Sequence, residues 1–259
     1  MRAAQSTTVL MYHAVVAAGE HGLADPRYAV SRAQFLHQLG DIAAAGLRPA
    51  SVASLLPQPD RAAVAFTFDD GHESNAWAAQ ALLDAGGSGD FFVNTATIGT
   101  PGHLSWEALR DMAAAGMSIQ SHGHRHRYLD DLTPFEVEQE LQRSKALLED
   151  RLGIRVDLFA PPGGRMPASF DRTAVRLGYR AVCSSRVGLW HNHGAARDIP
   201  RLAILADTAP AQFARWVLQD GSEMLQQRLR YAALASGKRL LGNANYERMR
   251  RGLLRLAGR

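Results

Sequence analysis

The chain has 259 residues, 46% hydrophobic and 21% charged, which allows a full buried core and excludes a disordered or fibrous class. A single cysteine, Cys183, excludes an internal disulfide framework. The formal net charge of +4 is uneven, since residues 222–259 carry +7 and leave −3 for residues 1–221.

Residues 1–8 lack the apolar stretch of a signal peptide, and no segment approaches a membrane span, so the expectation is a cytoplasmic protein. Residues 8–15 read as a strand with His13 near its end. Ser31 caps a helix reaching Gly46, with Phe35, Leu36, Leu39, Ile42 and Ala43 on one face. Residues 62–68 form a short apolar run closed by Asp69-Asp70-Gly71, a buried strand emptying into a tight turn. A helix over 74–85 stops at Gly86-Gly87. A strand over 90–94, a helix from Ser105 to Gly116 and a strand over 117–121 follow. Thr133-Pro134-Phe135-Glu136 combines an N-cap, a first-turn proline and a capping-box glutamate for a helix that Gly153 stops. Strands over 156–160, 179–183 and 202–205 complete the set, with a helix near 167–177. Cys183, in an apolar stretch, reads as a buried structural thiol. Repeated β-then-α order argues for an α/β fold, a parallel sheet or barrel with its chemistry at the carboxyl ends of strands.

Asp69 and Asp70 sit at such an end. Adjacent, partly desolvated carboxylates repel unless a cation lies between them. A metal bound by one leaves the other to act on water. Asp-Asp-Gly is also a common turn, and both readings stand at this point. Ser121-His122-Gly123-His124-Arg125-His126 ends a second strand. Two histidines three residues apart can meet one metal if the backbone turns; a solvated basic loop is the plain alternative. One Asp and two His leave positions open for water and substrate. At a third strand end, Phe159-Ala160-Pro161-Pro162-Gly163-Gly164-Arg165 is either a simple turn or a source of a backbone N–H for an oxyanion.

In this order and spacing, Thr67-Phe68-Asp69-Asp70-Gly71, His122-x-x-x-His126 and the 159–164 segment resemble the polysaccharide deacetylases of the NodB-homology class (carbohydrate esterase family four), over about residues 8–205. The resemblance implies a distorted (β/α) barrel of the NodB-homology type and a divalent metal, usually zinc. It implies hydrolysis of N-acetyl groups from amino sugars of a bacterial polysaccharide or its lipid-linked precursor. It makes Asp69 the general base, and Asp70, His122 and His126 the metal ligands. Pro162, Gly163 and Arg165 fall on the substrate and oxyanion side.

The chain departs from the family pattern in places. Gly123 replaces a loop-steadying Ser or Thr, for which Ser121 or His124 can substitute. Ala160 replaces an arginine that pairs with the base, with Arg165 as the candidate replacement. No histidine follows His193, where most members carry their acid. Residues 9–15, Val-Leu-Met-Tyr-His-Ala-Val, resemble instead the permuted members, such as poly-N-acetylglucosamine deacetylases, so His13 is the expected acid. Competing expectations are hydrolysis of another amide or imide on the same scaffold, and a carbohydrate-binding protein with a degenerate site.

The expected division is a catalytic domain over 1–221 and a basic amphipathic helical tail over 222–259. Arg248, Arg251, Arg255 and Arg259 lie opposite Met249, Leu253 and Leu256. Such a helix suits peripheral docking on the inner, anionic face of a membrane, or packing against the barrel. No motif supports nucleic-acid binding. His72 is placed at the cleft rim, and His191 and His193 in a surface loop. Trp77, Trp106, Trp190 and Trp216 are candidates for stacking on sugar rings, with Trp106 and Trp216 assigned first to the core.

Overall fold

Residues 6–20, 22–57, 63–191, 198–227 and 229 are described by a computed structural model. The chain opens with β1 (Ser6–Tyr12), β2 (Ala14–Val16), β3 (Ala29–Ser31) and α1 (Arg32–Ala44). Then β4 (Pro49–Ala50) and the single-turn α2 (Val52–Leu55) lead to β5 (Val64–Phe68), α3 (Asn75–Asp84) and β6 (Asp90–Val93). Next come α4 (Trp106–Ala114), β7 (Ser118–Ser121), α5 (Pro134–Leu152) and β8 (Leu158–Phe159). They are followed by α6 (Phe170–Arg176), β9 (Ala181–Cys183), β10 (Trp190–His191), β11 (Asp198–Ile199), β12 (Leu202–Ala203) and α7 (Pro210–Val217).

The principal sheet runs β10-β1-β5-β6-β7-β8-β9-β11, parallel except where β10 meets β1, while β12 also lies on β1 and β4 on β5. β11 pairs with β9, yet β12, two residues later, pairs with β1. Pro200-Arg201 therefore carries the chain across the gap between the two ends of the sheet and nearly closes it. This is the expected distorted barrel. Side chains alternate along each strand. Phe66, Phe68, Phe91, Val93 and Ile119 face the helices, and Ala65, Phe92, Leu158, Ala160 and Cys183 fill the interior. Each fully buried phenylalanine contributes roughly 1.5–3 kcal/mol of apolar transfer.

Helix starts follow the local chemistry. Ser31 accepts from the Gln34 N–H and Ser105 from the Ala108 N–H, while Thr133 and Glu136 complete a reciprocal capping box. Gly153 ends α5 in the left-handed conformation at φ 65°.

Some expectations need correction. The strand expected over 8–15 breaks at His13, between β1 and β2. Leu36 and Ala43 are exposed; the buried face of α1 instead includes Gln38, whose carboxamide accepts from the Tyr12 hydroxyl at 2.8 Å. A buried polar group is tolerated there because it is paired. Strands β3, β4, β10 and β11 are too short for a period to register.

Glu223 and Met224 are buried: Glu223 accepts from Gln212 and Arg215 of α7, and Met224 joins the main core. The amphipathic helix expected over 248–259 lies outside the described residues, as does His193. No described helix is long and apolar enough to cross a membrane.

Candidate active site

At the end of β5 the backbone turns left-handed at Asp70 (φ 71°) and Gly71 (φ 68°). A side chain at 71 would begin 3.0 Å from a Val93 methyl, so the turn requires glycine. The turn sends the two carboxylates in different directions. Asp69 is buried and meets Arg201 in a two-pronged pair, Nη1 to Oδ1 at 2.7 Å and Nη2 to Oδ2 at 2.8 Å. Arg201 is itself buried and also donates to Ser184 O and Thr67 Oγ1. Burial raises the Asp69 carboxyl, but the charge and hydrogen bonds of Arg201 together with His122 and His13 outweigh it and hold the carboxyl below its ordinary value.

Asp70 faces the histidines instead. Its Oδ1 lies 3.2 Å from His122 Nε2 and 3.1 Å from His126 Nε2. His122 Nδ1 lies 2.7 Å from the Ala160 carbonyl. A carbonyl only accepts, so Nδ1 carries the proton and a neutral ring turns its Nε2 lone pair toward Asp70. Asp70 Oδ1 is accordingly a buried oxygen without a hydrogen bond, although two ring nitrogens approach it. One ligand atom from each of Asp70, His122 and His126 converges within 4.8 Å of the others. This donor set fits a divalent cation of borderline softness, with His122 oriented by its carbonyl partner. Without a cation the three groups compete for a proton. Burial raises Asp70, yet the facing imidazoles hold it well below the carboxylate range, while Asp69 and Asp70 raise His122 against burial. A bound cation would take the place of that proton.

Asp70 and His126 (φ 53°) are two of the three described non-glycine residues with positive φ. Such backbone persists where surrounding structure fixes it, and it clusters at functional sites.

His13 sits in the break between β1 and β2, with its carbonyl held by Asn75 Nδ2 at 2.7 Å. Its ring packs on Tyr28 at 4.3 Å, and its Nδ1 is buried without a partner. Burial lowers its basicity, partly offset by Asp70 and Asp69. His13, Asp69, Asp70, His122, His126, Gly163 and Arg165 line one cleft of about 960 Å³.

Pro162 is buried in the turn before Gly163 and is not among the lining residues. Gly163 (φ 62°) is required by Tyr128, whose ring a Cβ would meet at 2.7 Å. No described group accepts from its N–H. Arg165 lies over the Tyr128 ring at 4.0 Å, so it does not replace the missing partner of Asp69; Arg201 holds that place.

His72 lines the cleft, and Cys183 is fully buried with its thiol pushed out of reach of ionisation by that burial. His191 is exposed on β10. Of the four tryptophans only Trp216 reaches the cleft. Sequence reasoning missed Arg201, Tyr28 and Tyr128. The available signal for Arg201 was a lone charge heading the apolar run Leu202-Ala203-Ile204.

Comparison with known proteins agrees with this fold. A sequence model of the family described as polysaccharide deacetylase matches residues 57–182. That stretch includes both aspartates and the histidine pair, and leaves out His13 and Arg201. YxkH of Bacillus subtilis (strain 168), provisionally named a polysaccharide deacetylase, is 28% identical over 194 residues, 73% of this chain. The match covers 66% of YxkH, so the chain spans just under two thirds of that relative. The deacetylase PplD of Streptococcus pyogenes, solved with acetate, shares the fold at a TM-score of 0.73 and 24% identity, covering 84% of this chain and 98% of its own. IcaB of Ammonifex degensii aligns at a TM-score of 0.69 and 25% identity, covering 82% of this chain and 97% of its own. With motifs, fold and matched stretch in agreement, the chain carries a polysaccharide deacetylase domain of the NodB-homology class.

Proposed function

We propose that this chain is a metal-dependent hydrolase that removes N-acetyl groups from amino sugars of a bacterial glycan or its lipid-linked precursor. The observation that carries the reading is the Asp70 oxygen facing two imidazole nitrogens at 3.1–3.2 Å beside a separately charged Asp69. Asp70, His122 and His126 hold the cation, and zinc best suits this mixed carboxylate and imidazole set. When bound, the cation supplies Lewis acidity toward water and the acyl oxygen. Asp69, kept ionised by Arg201, takes a proton from the attacking water. The Gly163 N–H donates to the oxygen on which negative charge develops. His13, in the same cleft, gives a proton to the departing amine nitrogen, and its lowered basicity favours that release. Tyr28, Tyr128 and Trp216 supply the aromatic surface of the cleft, suited to the apolar faces of sugar rings. The basic tail over 222–259 makes peripheral contact with an anionic membrane surface, where lipid-linked sugars lie.

Metal analysis of the purified chain, paired with acetate release from chito-oligosaccharides, tests the reading. Bound zinc with acetate release is expected. Metal without acetate points to another acyl substrate, and a chain that retains no metal points to a binding module. His13→Ala is expected to lower turnover by about 10²-fold or more while metal content stays constant. Loss of the metal in that variant removes His13 from the role of acid.

A further inference from the structure

The loop that joins His122 to His126 is unusual in how little of its own sequence holds it. Gly123 has φ 86° and His126 has φ 53°, so two of its residues occupy the left-handed region. Left-handed backbone at a non-glycine residue persists only where something outside fixes it. Outside support comes from two sides: the Thr95 and Ala96 N–H groups donate to the Gly123 and His124 carbonyls and Thr95 Oγ1 meets His124 Nδ1 at 2.8 Å, while α5 holds the amides. Glu140 is buried, and its Oε2 accepts from both the His124 and the Arg125 N–H, each at 2.8 Å. One helical turn further on, Ser144 accepts from Ser121 Oγ at 2.8 Å, and Ser121 Oγ in turn accepts from the Gly123 N–H. The residue before His122 and the two residues before His126 are thus tied to one face of one helix. That helix is fixed in its own right by the Thr133–Glu136 capping box.

Glu140 makes no ion pair among the described residues, although burying a carboxylate is costly. Its hydrogen-bond partners among the described residues are backbone N–H groups. Two convergent N–H groups on one carboxylate oxygen form a small anion-binding concavity of the kind seen in turns, except that here the protein supplies the anion. A Cβ at Gly123 would stand 3.5 Å from the same Oε2, so the carboxylate lies in ordinary contact distance of that position.

We propose that Glu140 is the positioning residue of the ligand loop: its carboxylate replaces a side-chain contact that Gly123 cannot make and sets the backbone that aims His126 at Asp70. The inference rests on the reading of Asp70, His122 and His126 as metal ligands, but Glu140's hold on the loop can be measured without metal.

Two measurements test it on the full chain. The first is amide hydrogen exchange of the metal-free protein, read at His124 and Arg125. Both amides are expected to be protected in the wild type and in Glu140→Gln, whose carboxamide oxygen still accepts, and unprotected in Glu140→Ala. The second is zinc affinity by chelator competition. Glu140→Gln should stay within about threefold of the wild type, and Glu140→Ala should weaken zinc by roughly 10–100-fold at an unchanged melting temperature of the metal-free protein. Rescue by glutamine separates positioning from a general loss of packing. Wild-type zinc affinity retained in Glu140→Ala, or unprotected 124 and 125 amides in the wild type, would overturn the proposal. A wild type that binds no zinc removes the metal reading instead, while the exchange pattern still decides whether Glu140 fixes the loop.

Discussion

Two carboxylates one peptide bond apart cannot keep both charges in the same buried environment unless each finds its own cation. Asp69 finds Arg201, and Asp70 faces His122 and His126. The two aspartates therefore respond differently to amidation. Asp69→Asn should lower turnover by about 10²–10⁴-fold with zinc retained, whereas Asp70→Asn should weaken zinc itself, read by chelator competition. Equal zinc loss in both would merge their roles. Arg201→Lys tests the clamp. A lysine cannot make the forked contact, so burial regains control of Asp69 and raises its carboxyl. A base must be ionised to act, so the acid limb of the pH–rate profile should move to higher pH; an unmoved limb would show that Arg201 does not tune the base. The Asp69 motif was legible because its residues are contiguous. Its partner was not, because Arg201 lies 132 residues away and its role appears only once the sheet closes.

At the scale of elements, helices with chemical punctuation were legible from sequence. Ser31, Ser105, Thr133 and Gly153 begin or end helices where expected, because a cap is a local hydrogen bond. The two-residue strands β4, β10 and β11 were not, since pairing across the barrel creates them. The short helix α2 shows the same dependence. Its first N–H groups, at Val52 and Ala53, are accepted by Asp90, which is fully buried on β6. Burial drives the Asp90 carboxyl up to about 7, against the lowering effect of its bonds with Ser118, Val52 and Ala53. The folded chain thus keeps a proton that the unfolded chain loses near about pH 4. Asp90's contribution to stability is full below that value, declines as pH rises toward about 7, and is flat above. Asn has no such dependence. Urea unfolding at about pH 5 and about pH 8 should show wild type losing on the order of 2–3 kcal/mol relative to Asp90→Asn. A difference that does not change with pH would mean Asp90 is ionised in the folded chain.

For the whole molecule, charge is distributed along the sequence in a way the barrel does not require. Residues 1–221 carry −3, and residues 222–259 carry +7 with arginines at helical spacing. Each basic residue near an anionic bilayer contributes about 1 kcal/mol, so even part of this charge gives measurable binding. An acidic body behind it disfavours close approach by any other face. The cut that isolates the effect follows Leu229 rather than Gly221, because Glu223 and Met224 are buried in the body and their removal would disturb α7. In flotation with vesicles containing phosphatidylserine, the intact chain should rise with the lipid at low salt. It should remain behind at about 0.5 M salt, where the Debye length falls to a few ångströms. A chain ending at Leu229 should not float under either condition, and neither chain should float with neutral vesicles. Equal partitioning of the two chains would remove the membrane reading and return the tail to packing against the barrel. Acetate release by the shortened chain on soluble chito-oligosaccharides should stay at the intact level, because none of the described residues at the cleft lies beyond Gln227.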